Sequence, residues 1–171
     1  MNITVKKWID YSSKYGIGYA LSNNMIGVYF NDSTKMLTYC ENFFYYIERV
    51  EREDVVKKYY FKDYPIELKK KVSLFNHFKG YLQTEGENKL TLKEGDIDEK
   101  KLIYVRRWFR SKHAVIFRLN NKSVQVIFID QSELLINSIT KHLLYTNKHK
   151  EKSEYALADI MQSDNRELIK R

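Results

Sequence analysis

The chain has 171 residues, of which 43% are hydrophobic and 15% aromatic, so it can bury one core or two small ones and is not an extended disordered chain. Its net charge of +8, from 30 basic and 22 acidic residues, weakly favours an anionic partner and is equally typical of solvated faces. The single cysteine, Cys40, excludes an internal disulfide and a CxxC metal site. No apolar run reaches the roughly 18 residues of a membrane span. Together these features predict a soluble, intracellular protein without membrane contact.

The first half of the chain predicts an antiparallel meander followed by one helix. Short runs of aromatic and β-branched residues alternate with turn residues, at 18–22, 25–30, 35–40, 44–48 and 55–61. Pro65 lies where a first helical turn begins, and apolar residues then recur at helical spacing: Ile66, Leu68, Val72, Phe75, Phe78, Tyr81 and Leu82. This spacing predicts a helix with one buried face that ends near Thr84.

A polar, acidic stretch at 84–100 is predicted to link this half to a second meander. The second set of strands is predicted at 104–110, 114–119, 124–129, 133–138, 142–146 and 155–160. Ser163 or Asp164 then caps a helix that starts near Asn165, with Glu167 placed for a capping box. Because this helix has barely begun at Arg171, the chain is predicted to be a fragment of a longer protein.

The two halves are copies of each other. Residues 21–38 and 119–136 align without a gap at an offset of 98, and six of the aligned pairs are identical: Leu21/Leu119, Asn23/Asn121, Val28/Val126, Phe30/Phe128, Asp32/Asp130 and Leu37/Leu135. Most other pairs keep their polarity. The alignment predicts a duplicated unit of strands followed by a helix.

Several motifs resemble the polo-box domain of polo-like kinases. Residues 6–21, KKWIDYSSKYGIGYAL, are similar to the opening of that domain, and Gly27–Thr34, GVYFNDST, is similar to the segment that follows it. In the second half, Trp108–Ser111 and Ser123–Val126 resemble the corresponding W-F-R and S-V-Q motifs of the second box. The resemblance covers nearly the whole chain and both copies.

This resemblance implies an α+β fold of two polo boxes, each a six-stranded antiparallel sheet with one helix, packed as a β-sandwich. Box 1 would span 1–83, the linker 84–100, and box 2 101–171 with a truncated helix. The family docks its kinase onto partners phosphorylated at Ser-phosphoSer/Thr motifs, through a groove between the boxes, and restrains the kinase domain of the same polypeptide. The implied setting is the cytoplasm or nucleus of a dividing cell, at the centrosome or spindle.

Catalytic residues are absent from this sequence. It contains no HRD or DFG tripeptide, and Gly16-x-Gly18 lacks the third glycine of a nucleotide-binding loop. The four histidines have no metal-ligand spacing: His77, His113, His142 and His149. We therefore expect no metal and no cofactor here; the resemblance implies that an ATP-dependent serine/threonine kinase domain precedes this fragment in the parent protein.

The resemblance assigns peptide binding chiefly to Trp8. The equivalent tryptophan packs against the serine that precedes the phosphorylated residue, and Lys7, Ile9 and Asp10 flank it here. Arg110 is expected near the groove from the second box. Trp8 is alternatively a core tryptophan, and Lys7 and Arg110 are alternatively solvated charges.

The resemblance also identifies a departure at the phosphate site. The family holds the phosphate with a His and a Lys from a D-H-x-K motif, whereas this chain has Gln131 and Glu133 at those positions. Since a charge-assisted hydrogen bond contributes roughly 1.5–3 kcal/mol, losing two of them would weaken binding greatly. Lys148, Lys150 or Arg110 could supply a substitute cation.

Two other functions compete with phosphopeptide docking. One is phosphate-independent docking or dimerisation through the same groove, favoured by Gln131 and Glu133. The other is nucleic-acid binding by a basic, aromatic sheet. We predict no nucleic-acid ligand, because Tyr45-Tyr46 and Tyr59-Tyr60 occupy both faces of their strands, as core positions would.

Overall fold

The computed structural model describes residues 3–83, 90 and 92–156, and the chain divides into two compact units, Met1–Tyr104 and Val105–Arg171. Each unit contains a six-stranded antiparallel sheet in which strands adjacent in sequence are hydrogen-bonded neighbours. The predicted meander is therefore confirmed in both copies.

The sheet of the first unit comprises β1 Val5–Tyr11, β2 Gly16–Leu21, β3 Ile26–Phe30, β4 Lys35–Thr38, β5 Phe43–Val50 and β6 Glu53–Tyr60. The sequence pattern located all of these except β1. The sequence of β1, VKKWIDY, carries charged residues on both faces, so its extended state depends on pairing with β2 rather than on an apolar alternation.

One helix packs on this sheet. Pro65 precedes a 3-10 turn, Ile66–Leu68, and helix α1, Lys69–Leu82, in agreement with the predicted start. The buried residues of α1 are Val72, Phe75, Phe78 and Leu82. Gly18 allows α1 to lie directly on β2, because a Cβ atom there would be 2.4 Å from Cδ1 of Phe78. Lys71 also binds α1 to the sheet, because its Nζ donates to Asp32 Oδ2 at 2.6 Å and to the Tyr46 hydroxyl at 3.0 Å.

The predicted apolar face of this helix is wrong at two positions. Ile66 is 74% exposed and Tyr81 is 60% exposed. Ile66 belongs to the 3-10 turn before α1, and at about 100° per residue Tyr81 falls well outside the arc of the four buried α1 residues. The helix also ends at Leu82, two residues before the predicted end.

Residues of the predicted linker are bonded to the first sheet. The Glu94 carboxylate pairs with Lys58 and accepts a hydrogen bond from the Tyr60 hydroxyl at 2.7 Å. The Gly95 N–H donates to the Tyr39 hydroxyl at 3.1 Å. Tyr60, expected at a core position, is 44% exposed because its hydroxyl turns outward to Glu94, whereas Tyr45 and Tyr46 are buried as expected. The division into 1–83, 84–100 and 101–171 stays a prediction.

The sheet of the second unit comprises β7 Val105–Arg110, β8 Ala114–Leu119, β9 Ser123–Phe128, β10 Glu133–Asn137, β11 His142–Thr146 and β12 Lys152–Ala156. The sixth strand was predicted at 155–160; β12 starts earlier because the β11–β12 hairpin pairs Thr146 with Lys152. Residues 157–160 and the helix predicted from Asn165 lie outside the described residues.

The backbone confirms the duplication. The register of the first strand pair shifts between Val5 and Lys7 in one unit and between Val105 and Arg107 in the other. Three pairs of residues at the predicted offset share left-handed φ angles: Asn24 (68°) and Lys122 (67°), Ser33 (73°) and Gln131 (72°), and Arg52 (71°) and Lys150 (69°). Non-glycine residues rarely adopt this conformation, so its recurrence at equivalent positions shows that the turns are copies too.

Candidate functional site

Trp8 lies on an edge strand of the first unit. It is placed in β1, the first strand in the sheet order, directly opposite the fully buried Tyr19 of β2. Trp8 itself is only half-buried and does not belong to the buried core. An aromatic side chain that keeps part of its surface accessible can still contribute to binding, as a fully buried one cannot.

Of the three residues that flank Trp8, only Asp10 shares its face of the sheet. Side chains alternate along a strand, so Lys7 and Ile9 lie on one face and Trp8 and Asp10 on the other. Lys7 is opposite Ala20, and Ile9 packs against the hydrophobic cluster beneath α1. Four of the five residues predicted to bind peptide lie on β1, and among these only Asp10 presents its side chain on the same face as Trp8.

Asp10 closes the β1–β2 turn. Its Oδ1 accepts hydrogen bonds from the Ser12 N–H at 2.9 Å and the Ser12 hydroxyl at 2.5 Å. Asp-x-Ser/Thr sequences use this local bonding to form turns. The peptide contact predicted for Asp10 stays a prediction, while its role in the turn accounts for the carboxylate.

The same turn chemistry holds Gln131. Asp130 Oδ1 accepts from the Ser132 N–H at 2.9 Å and hydroxyl at 2.5 Å, and Gln131 lies between them at a φ of 72°. In the first unit Asp32 and Thr34 form the equivalent bonds. Sequence reasoning overlooked this, although the Asp-x-Ser/Thr pattern within the repeated segment signals it. Gln131 is exposed at the tip of a fixed turn.

Glu133 begins β10 and is half-buried. Its Oε2 is 3.5 Å from Nε2 of Gln125, a fully buried residue, which makes a long and weak hydrogen bond. Burial raises the pKa of the Glu133 carboxyl, and the opposing attraction of Lys150 and Lys152 together with the Gln125 bond does not cancel that effect. The position therefore carries a carboxylate that is poorly solvated and faces two lysines.

The strand register aligns Glu133 with cations at both ends of one row across the second sheet. Residues paired directly across neighbouring strands project from the same face, and the row runs Arg110, Val115, Ile127, Glu133, Thr146, Lys152. At about 4.8 Å per strand, Lys152 is about 10 Å from Glu133 along the row and Arg110 about 14 Å. Lys152 is thus nearer than Arg110, and sequence reasoning missed it because the β11–β12 register is not readable from composition.

The two other proposed substitute cations lie in the β11–β12 turn. Lys150 acts electrostatically on Glu133, whereas Lys148 has no described interaction with it. Both lysines are exposed. The cations close to Glu133 are therefore Lys150 and Lys152.

We expect Glu133→Gln to stabilise the chain slightly near pH 7. A carboxyl whose pKa is raised on folding destabilises the folded state once it ionises, so the difference should vanish as the pH falls below its ordinary pKa of about 4.3. Thermal melts across this pH range test it, with the exposed Glu53→Gln as control. If Glu133→Gln is no more stable than wild type near pH 7, attraction to the two lysines outweighs burial.

Within the described ranges, no cluster of three or more His, Cys, Asp or Glu side chains could hold a metal ion. No helix in these ranges is long and apolar enough to cross a membrane. His142 lies beside Glu154, with Nδ1 3.0 Å from Oε1.

Comparison with known proteins identifies both copies. A family model described as the POLO box duplicated region matches residues 13–72 and 111–171. The probable serine/threonine-protein kinase CCRP1 of Zea mays is 43% identical over 147 residues, covering 84% of this chain and 23% of that protein. Serine/threonine-protein kinase PLK1 of Xenopus tropicalis is 35% identical over 164 residues, covering 92% of this chain and 27% of that protein.

A solved structure shares the fold. The polo-box domain of budding yeast Cdc5 in complex with an Spc72 phosphopeptide has a TM-score of 0.77 and 28% sequence identity, covering 99% of this chain and 68% of that one. This chain spans about a quarter of the length of the two curated relatives. Because the two matched regions together cover more than half of the chain, the chain belongs to the polo-box family.

Proposed function

We propose that this chain is the protein-docking module of a polo-like serine/threonine kinase and that it binds peptides carrying a Ser-phosphoSer or Ser-phosphoThr motif. The observation that carries the proposal is the half-buried Trp8 on edge strand β1, in a chain similar over 99% of its length to a polo-box domain bound to a phosphopeptide. Interface aromatics of this kind often dominate binding energy.

The parent protein would be an ATP-dependent kinase with its catalytic residues outside this chain. Relatives that match most of this chain are named serine/threonine-protein kinases, which supports this assignment. The module would carry the kinase to phosphorylated partners inside dividing cells, at the centrosome or spindle-associated structures, and would also contact the kinase domain of its own polypeptide.

The phosphate dependence of this docking is proposed to be weak. Gln131 offers a neutral amide and Glu133 a carboxylate, where the family offers two cations. Lys150 and Lys152 are the nearest replacements, and both are already attracted to Glu133. A phosphate would therefore compete with Glu133 for these lysines and would be repelled by its charge.

Titration of the chain with a Ser-phosphoThr peptide and its unphosphorylated twin tests this function. We expect both peptides to bind, with a preference for the phosphorylated one of less than about tenfold, or about 1.4 kcal/mol. A preference of about a hundredfold or more would show that Lys150, Lys152 or Arg110 has replaced the family's cations. If neither peptide binds, the docking function itself is wrong.

A second candidate function is docking or dimerisation that ignores phosphate. The half-buried Glu133 carboxylate beside Gln125 favours it. Equal affinity for the two peptides would support this candidate. Sedimentation of the free chain separates dimerisation from docking, since a dimer dissociates with dilution whether or not peptide is present.

A further inference from the structure

The second unit contains a basic cavity that the proposed function does not use. This corner pocket has a volume of about 340 Å³ and lies where β7 begins and β8 ends. Four cationic side chains line it, Arg106, Arg107, Arg118 and Lys122, together with Ser123 and Ser138. Among the described residues, no carboxylate lines it.

The local sequence around the corner pocket is strongly basic. Residues 102–129 contain six arginines and lysines but no aspartate or glutamate. Arg107 is paired directly with Arg118 across β7 and β8, an arrangement in which like charges repel. In the part of the chain that the structure describes, the side chains of Arg107, Arg118 and Lys122 form no ion pair.

Comparison of the two copies shows that the fold does not require these charges. Arg118 and Lys122 occupy the positions of Ala20 and Asn24 in the first unit, at the offset of 98. Ala20 is fully buried in the cluster beneath α1, whereas Arg118 is exposed. Asn24 and Lys122 share the same left-handed conformation, which asparagine adopts more readily than lysine. Neither cation therefore has a charged counterpart in the first copy, and Lys122 has a backbone conformation that favours asparagine.

We propose that the corner pocket binds an anion that carries two or more phosphate groups. Its volume is within the range of small-ligand sites, and its concave shape suits a compact anion better than an extended chain. Arginine guanidinium groups match phosphate oxygens with paired hydrogen bonds, and three of the four cations are arginines. The repulsion between Arg107 and Arg118 would be relieved by such a ligand. A soluble polyphosphate or a phosphorylated lipid headgroup supplies this chemistry.

Calorimetric titration with inorganic tripolyphosphate tests the proposal, with orthophosphate as the weaker comparison. A parallel experiment measures sedimentation with phosphatidylcholine vesicles, with and without a phosphoinositide bisphosphate. The key variant is Arg118→Ala combined with Lys122→Asn, which restores the residues of the first copy and is therefore compatible with the fold. The control is Lys112→Gln, which removes one exposed charge at the opposite end of the β7–β8 hairpin, outside the pocket.

We expect tripolyphosphate to bind more tightly than orthophosphate, and the double variant to lose about tenfold or more in affinity while Lys112→Gln stays near wild type. Binding to phosphoinositide vesicles alone, with the same variant dependence, would identify the lipid headgroup as the source. Equal binding by all three proteins, or no binding to either probe, would overturn the proposal. So would tighter binding of a single-stranded oligonucleotide that depends on the same two residues.

Peptide titration of the double variant distinguishes anion binding in the corner pocket from peptide docking. The double variant should bind the Ser-phosphoThr peptide as wild type does, and thermal melting should show that it remains folded. A parallel loss of peptide binding would show that the pocket is part of the peptide site and would overturn the proposal of a separate ligand.

Discussion

Replacing Trp8 with alanine should weaken peptide binding by about 2 kcal/mol, or roughly thirtyfold, while leaving the chain folded. The side chain is half-buried on edge strand β1, so its removal takes away contact area without opening a cavity inside the core beneath α1. Calorimetric titration of the variant with the Ser-phosphoThr peptide measures the loss, and a thermal melt measures the fold.

The second copy provides a matched control. Trp108 is half-buried on β7, the edge strand of its own sheet, and faces the buried Phe117 as Trp8 faces Tyr19. Trp108→Ala should change the melting temperature by about as much as Trp8→Ala does, but it should leave the peptide affinity unchanged. Unchanged peptide binding in Trp8→Ala would place the docking site elsewhere, and unfolding of that variant would make Trp8 a core residue.

Restoring the family's two cations should produce the other large effect. Gln131→His combined with Glu133→Lys is expected to increase the preference for the phosphorylated peptide by about a hundredfold or more, because each of the two charge-assisted bonds to phosphate contributes roughly 1.5–3 kcal/mol and about 1.4 kcal/mol is tenfold. Histidine suits the left-handed backbone at position 131, so the first change should not strain the turn. The ratio of the two peptide dissociation constants is the measurement.

The first copy shows how a lysine is accommodated at the position of Glu133. Lys35 occupies the position equivalent to Glu133, is only 3% exposed, and donates to the Ser33 carbonyl at 3.2 Å. Lys35 also lies 5.2 Å from the Tyr29 ring centre, whereas the second copy has Ile127 there. A lysine at 133 would lack that ring, so its ammonium should be more available to a ligand.

The single variant Gln131→His separates the two contributions. Gln131→His alone should raise the preference less than the double variant, because the Glu133 carboxylate still repels phosphate. If the double variant gains no preference while remaining folded, the phosphate does not reach this turn. If Gln131→His alone accounts for the whole gain, repulsion by Glu133 is not what weakens the site.

The sequence by itself determined the features that depend on local chemistry. The gapless alignment of residues 21–38 with 119–136 predicted the duplication, and the alternation of apolar runs and turns located eleven of the twelve strands, the last with its start misplaced. Pro65 and the spacing after it located α1. The Asp-x-Ser/Thr turns at Asp10, Asp32 and Asp130 were equally readable, because their hydrogen bonds span only two residues.

Only the tertiary structure decided which of these residues act together. Pairing of β1 with β2 separates Ile9 from Trp8, although the two are adjacent in sequence. The register of six strands brings Arg110, Glu133 and Lys152 onto one row, and the β7–β8 pairing places Arg107 opposite Arg118. A shift of one residue in any pairing would reverse the face of every side chain in that strand. The register depends on the turn geometry and on the packing of whole strands, so composition and local spacing do not specify it.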